Sequence, residues 1–337
     1  MAAYSSAVVT GPSSVSPVIC DASAPNGEFE VEIAGGRAIL SKLYYTYPLK
    51  LVPQQSQRPT TVLQMYMIGH GGGLVSGDKI NLVLALNQSS ALIMKTQGST
   101  KVYKSQQGGE AAAPASQLIS GHLRDESFLL SVPDPITCFA DSSLQQLQTY
   151  KLSQNASCCL VEWFTCGRES SGEVWRASRI RSTVQIYVQD KMVLLENLDL
   201  QASSYGSFSD KIGGCVVFGS LMLVGPKTLN LRERLQVLKQ RQSFSNLKSA
   251  KERTHDEGDH IDPIVSFSEL SEGAIMRFSG VSVEDCYCLL ALIFNTMEKD
   301  LNVHPSPFME RIDSSSLSCR VQKKGSLFNV LALALSK

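Results

Sequence analysis

Neither sign of charge predominates in this chain of 337 residues, where 31 lysines and arginines meet 31 aspartates and glutamates. With no basic excess, neither nucleic acid nor an anionic membrane surface is favoured as an electrostatic partner. Long apolar runs are also missing, since no stretch reaches the roughly 18 residues a membrane-spanning helix requires. No lysine or arginine precedes Arg37, and no apolar core of a secretory signal stands near the start, so a cytoplasmic location is expected. The nine cysteines are odd in number and show no Cys-x-x-Cys spacing. Cys158-Cys159 sits in the apolar run from Cys158 to Phe164, and Cys286-x-Cys288 on a predicted helix, so reduced, buried thiols are expected. The histidines, His70, His122, His255, His260 and His304, include no pair at metal-binding helical spacing. There is no His-Glu-x-x-His, no Gly-x-Ser-x-Gly, no dinucleotide-binding glycine fingerprint and no Cys-His signature. No catalytic residue and no cofactor-binding residue is identified, which points away from an enzyme.

What the chain does have is glycine in one place, the run from His70 to Lys79 that holds Gly71, Gly72, Gly73 and Gly77. Glycines clustered between two strand-like segments mark backbone at positive φ or in close approach to something. Gly72 and Gly77 have the outer spacing of a P-loop, but Asp78 follows the second glycine, Lys79 comes one place late, and Ile80 replaces the magnesium-holding hydroxyl. The alternation of Ile80, Leu82, Leu84 and Leu86 then predicts a strand, where a phosphate site needs a helix N-terminus. Ser76-x-x-Lys79 imitates a penicillin-binding motif without its companion motifs and without a helix to open.

Residues 1–28 are rich in Ser, Pro, Ala and Gly and read as a loose tail, followed by one β-rich domain over 29–337. Two hairpins are predicted. In the first, Ile80 to Leu86 turns at Asn87-Ser90 into Ala91 to Lys95; in the second, Ile180 to Val188 turns at Gln189-Lys191 into Met192 to Leu200. Two helices follow, one through Leu229, Leu231, Leu235 and Leu238 with Thr228 as cap. The other runs through Val283, Tyr287, Leu290, Phe294, Met297 and Leu301, with Ser282 as cap and Asp285 in capping-box position. Residues 241–263 form a charged insertion in which His255, Asp256, Asp259 and His260 offer a possible metal cluster, with a solvated loop as the simpler reading. No internal repeat is detectable.

Four segments in order resemble the urease accessory protein UreD family, called UreH in some bacteria. They are Gly72-Gly73-Leu74-Val75-Ser76-Gly77-Asp78, Thr96-Gln97-Gly98-Ser99-Thr100-Lys101-Val102-Tyr103, Pro133 through Phe139-Ala140-Asp141, and Gly167-Arg168-Glu169-Ser170-Ser171-Gly172-Glu173. Ser76 stands where the family usually has glycine, and the tail and insertion are extensions that suggest a eukaryotic-type member. The resemblance implies a mainly β fold of stacked sheets with a β-helix-like course and two helices late in the chain, which agrees with the periodicity.

It further implies a non-catalytic nickel-delivery chaperone. Such a protein binds apo-urease and recruits a UreF-type protein and through it a UreG-type GTPase, in a larger, dimeric complex. No cofactor is expected to stay bound; nickel(II) passes transiently through a water-filled interior. An ion that must leave again wants oxygen ligands that hold it weakly. Asp78, Asp141 and Glu173 are the motif carboxylates expected to serve it, with Arg168 as counter-charge; the alternative is that these residues cap turns. Two other functions stay open, an enzyme using loops 70–79 and 167–173, and a metal-storage or sensing protein using the 255–260 cluster.

Overall fold

A computed structural model describes residues 24–54, 60–104, 113–168, 171–201, 208, 212–237 and 262–301. The predicted tail up to residue 23, nearly all of the 241–263 insertion, its 255–260 cluster, His304 and Leu238 lie outside the described residues. Two stacked sheets take up most of the rest. The first holds β1 (Gly27–Ala34), β2 (Arg37–Tyr45), β6 (Lys79–Leu86), β9 (Ala115–Leu123), β12 (Ser143–Leu152), β14 (Arg179–Val188) and β15 (Lys191–Gln201). The second holds β3 (Leu49–Gln54), β4 (Val62–Gly69), β7 (Ala91–Thr96), β10 (Phe128–Ser131), β13 (Ser157–Cys166), β16 (Val217–Val224), β17 (Ile264–Glu269) and β18 (Gly273–Gly280). Three short strands, β5 (Gly73–Leu74), β8 (Thr100–Val102) and β11 (Ile136–Cys138), extend the second sheet from β13. The helices are α1 (Leu229–Leu235) and α2 (Val283–Leu301).

The centre of each sheet is parallel. β1, β6, β9, β12 and β14 run alongside one another in the first sheet, and β4, β7, β10 and β13 in the second. The chain climbs as a coil, one strand in each sheet per rung, and antiparallel strands close the edges. The predicted β14–β15 hairpin is present, paired from Arg179–Gln201 to Val188–Lys191. The first predicted hairpin is not. β6 and β7 lie in different sheets, and Asn87–Ser90 is a corner that carries the chain across.

The physical reason is visible in the corners themselves. Ser90 and Ser127 each turn their hydroxyl back to the carbonyl three residues earlier, at 2.6 Å in both cases. Successive corners then stack, since Phe128 N–H donates to Ser90 O at 2.9 Å and Ser157 N–H to Ser127 O at 3.0 Å. A hairpin would leave those groups and both strand edges unpaired. The rungs are a structural repeat that the sequence conceals, because the loops between them differ in length.

Inward-facing side chains line up in layers across the parallel strands. Leu86, Leu123, Leu152 and Val188 share one register, and Leu84, Gly121, Tyr150 and Ile186 the next. All but the glycine are apolar or aromatic and buried. Gly121 is required there, since a Cβ would stand 2.5 Å from Cδ1 of the fully buried Tyr150 ring. The Thr228 hydroxyl donates to Gly225 O at 2.8 Å and makes no cap bond to α1. In α2 the Asp285 N–H meets Ser282 Oγ at 3.4 Å. That helix is buried almost all round from Cys286 to Phe294, a wider face than a single apolar stripe. Among the described residues, no helix is long and apolar enough to cross a membrane.

Candidate functional site

Toward the N-terminal ends of the first sheet's parallel strands the layers turn polar. Gln117, Gln146 and Ser182 share a register across β9, β12 and β14, and Gln148 stands in the next layer between Ile119 and Val184. All four polar side chains are buried. A side chain repeated at one register of parallel strands makes a ladder along the coil axis, so this polar course runs between the sheets from rung to rung. Facing it are Lys95, Thr96, Ser131 and Glu162 from the second sheet and Asp134 from the loop after β10. Together they line a partly enclosed cavity with about 30 Å³ of space, enough to hold water.

Glu162 is the chemical centre of this course. It lies within the apolar run of β13 and is 6% exposed. Gln148 Nε2 donates to its Oε1 at 3.0 Å, and Ser182 Oγ at 2.6 Å, both from the opposite sheet. Tyr150 in turn donates to Gln148 Oε1 at 2.8 Å, which fixes the amide's orientation. Burial pushes the Glu162 carboxyl up to about 7, against those hydrogen bonds, and the nearby Glu196 charge adds to the rise. Gln146 Oε1, also on the cavity wall, is buried with no hydrogen-bond partner. Glu162 faces a second space as well, a groove of about 540 Å³ lined by Glu196, Ser220 and Arg277 among others. The enclosed cavity and the open groove thus share one carboxylate.

The four motif segments meet in one small layer beside this course. β5 pairs with β8, β8 with β11, and β11 with β13, all parallel. Gly73 is needed where it packs on the next rung, since a Cβ would collide with the Lys101 carbonyl and stand 2.8 Å from the Tyr103 ring. The Tyr103 ring lies 5.5 Å from that of Phe139, Gly167 packs against the Phe139 ring, and the Arg168 guanidinium sits 5.5 Å over it. Asp134 ties the layer to the rest of the fold. It accepts from Thr96 Oγ1 at 3.0 Å, Gly98 N–H at 2.9 Å and the Tyr287 hydroxyl of α2 at 2.6 Å.

The three expected carboxylates stand in this layer's loops, outside the enclosed course. Asp78 accepts from Val75 N–H at 2.9 Å and closes the glycine turn, in which Gly71, Gly72 and Gly77 have φ of 72°, 74° and 85°. Ser76 is not among the positive-φ residues, so the missing glycine costs that turn no strain. Asp141 is exposed at φ 58° and its N–H donates to Arg176 O at 3.0 Å. Glu173 pairs with Arg168 at 3.5 Å, where Arg168 is the counter-charge expected of it. Gly172 has φ 75°, while Glu169 and Ser170 lie outside the described residues. Of the other motif residues, Gln97 and Lys101 are exposed, and Thr100 lines the cavity. Among the described residues, no three His, Cys, Asp or Glu side chains converge as a metal cluster.

Sequence reasoning missed Glu162, Gln146, Gln148 and Lys95. One signal was present, a lone carboxylate inside the apolar run of Cys158 to Phe164, a position at which an unpartnered charge is costly.

A sequence model of the family described as UreD urease accessory protein matches residues 25–313. The chain is also similar to urease accessory protein D of Oryza sativa subsp. indica, 29% identical over 299 residues that span 85% of this chain and 96% of the relative. Urease accessory protein 4 of Cryptococcus neoformans is 28% identical, covering 77% of this chain and 86% of its own. Urease accessory protein UreD of the bacterium Sorangium cellulosum is 30% identical, covering 63% and 65%.

Proposed function

The chain belongs to the UreD urease accessory protein family, and from that premise we propose that it is a nickel-delivery chaperone whose interior polar course carries the ion to apo-urease. Its role is accessory and not catalytic, in keeping with the names its relatives carry. In this reading it binds apo-urease and recruits a UreF-type protein, and through that protein a UreG-type GTPase that supplies the nickel, in a reducing, cytoplasmic setting. The observation that carries the passage is Glu162, a buried carboxylate shared by the enclosed cavity and the open groove.

The chemistry suits an ion in transit. Carboxylate, amide and hydroxyl oxygens hold a borderline divalent cation more loosely than imidazole or thiolate would, so it can leave. An arriving cation favours the ionised carboxylate and so draws the proton from Glu162. The hydrogen-bonded amide and hydroxyl hold the carboxylate oriented in the meantime. Asp78, Asp141 and Glu173 remain proposed as outer waypoints beside the motif layer.

The test is urease activation in a host whose own UreD-type gene is deleted. Glu162→Gln should assemble with apo-urease as the intact chain does yet restore little activity, while Asp78→Ala with Asp141→Ala tests the outer waypoints. Full activation by Glu162→Gln would overturn the interior route.

A further inference from the structure

Of the three buried glutamines in the polar course, one has both ends of its amide well bonded and two do not. Gln148 donates to Glu162 at 3.0 Å and accepts from the Tyr150 hydroxyl at 2.8 Å. In the neighbouring layer, Gln117 on β9 and Gln146 on β12 are register partners on adjacent parallel strands, which lie about 4.8 Å apart. They are 4% and 5% exposed, and both line the cavity. Gln146 Oε1 is an acceptor with no donor. Gln117 Nε2 is a donor whose partner is the Met67 sulfur at 3.7 Å, and a thioether is a weak acceptor. The two side chains therefore present an unmet acceptor and a poorly met donor side by side.

A buried acceptor without a donor is costly, so the pair points to an occupant. Two waters would meet the two needs separately. A planar molecule that carries a carbonyl oxygen and an N–H on one carbon meets both at once and frees the waters it replaces. Size limits it further, since about 30 Å³ of space suits a molecule of about four non-hydrogen atoms. Charge decides the rest. The cavity is lined by Lys95 as well as by Glu162 and Asp134, so an ionic ligand of either sign meets a like charge and a neutral one does not. We propose that Gln117 and Gln146 form a binding site for a small neutral amide, whose carbonyl oxygen accepts from Gln117 Nε2 and whose N–H donates to Gln146 Oε1. The site stands on these two residues whether or not nickel uses the course, and it calls on no carboxylate.

The experiment is saturation-transfer NMR on the purified full-length chain with four probes of like size, acetamide, urea, acetone and acetate. Acetamide and urea should bind with a dissociation constant of about 1 mM, within reach of four non-hydrogen atoms. Acetone lacks the N–H, and acetate lacks it and carries charge, so each should bind about tenfold more weakly or worse. Gln146→Met removes an acceptor that had no donor, so the fold should hold while acetamide binding falls by about tenfold. Gln117→Met should do the same, and it decides the matter if Gln146→Met cannot be purified. No acetamide binding up to about 100 mM would overturn the site and leave water as its occupant. Acetone or acetate binding as tightly as acetamide would overturn the donor–acceptor pairing, and unchanged acetamide binding in a folded variant would overturn the location.

Discussion

At the scale of single residues, Glu162 couples the fold to pH. Its carboxyl is raised from 4.5 to about 7, so between those values the folded chain holds a proton that the unfolded chain has released. Stability from this group is therefore full below its ordinary value and lost as pH rises through about 7. Glu162→Gln should flatten that fall and raise stability at pH 8 by up to about 3 kcal/mol, measured by urea unfolding at pH 5.5 and pH 8. An unaltered pH slope in the variant would show that the carboxyl is not proton-bound in the fold. The described cysteines, Cys138, Cys158, Cys159, Cys166, Cys215, Cys286 and Cys288, are all buried. Burial pushes the Cys138 thiol up to about 12, and those of Cys158, Cys159 and Cys286 are raised as well. The thiolate is the reactive form, so iodoacetamide should leave these seven unmodified in the native protein and label them once urea unfolds it. Mass spectrometry of the native digest reads this directly, and early labelling of Cys138 would contradict its burial.

At the scale of elements, two contacts decide whether rungs can stack. In the layer of Gly121 and Tyr150 the ring occupies the space a side chain would need, and its hydroxyl is tied to Gln148. Gly121→Ala should therefore cost about 1–3 kcal/mol, the usual range for overpacking, and loosen the orientation of Gln148 with it. Denaturant unfolding checks this, and a neutral result would mean that Tyr150 moves freely. Asp134 joins the turn after β7 to α2, through Thr96, Gly98 and Tyr287. Removing one partner leaves the buried carboxylate short of a donor, so Thr96→Val and Tyr287→Phe should each cost about 1–3 kcal/mol. Because both act on one carboxylate, a double-mutant cycle should show coupling; strict additivity would mean that the two bonds act independently.

At the scale of the whole molecule, the coil shares one apolar core between two sheets, while the antiparallel strands β2, β15, β3 and β17 lie at the sheet edges. A single core implies a single unfolding transition. Far-ultraviolet circular dichroism and the fluorescence of Trp163 and Trp175, both buried, should report the same midpoint. Two separated midpoints would argue for independent units and against the single domain proposed for residues 29–337. The motif layer sits beside the polar course and is packed by rings and glycines, with its carboxylates in turns. That placement makes it a rigid frame beside the polar course.

Much was legible in the residues themselves. Alternation marked β6 and β14, the turn at Gln189-Lys191 led to β15, the helical spacing from Val283 onward marked α2, and the four motifs in order carried the family. Their legibility has a local cause, since strand and helix periods and turn glycines are written in neighbouring residues. Asn87–Ser90 shows where that information ends. The same polar turn suits a hairpin or a corner, and only the stacking of Ser90 on Ser127 and Ser157 selects the corner. The candidate site was less legible for the same reason. Glu162 stands out in the chain only as a lone carboxylate in an apolar run, Gln146 and Ser182 not at all, and the three become one polar course only because the rungs bring their registers together. Glu196 and Arg277, far apart in sequence, meet across the two sheets. The amino-acid sequence by itself determined the strands, the late helices and the family. The tertiary structure alone decided which polar groups were taken out of water together, since burial and charge pairing are properties of neighbours in space.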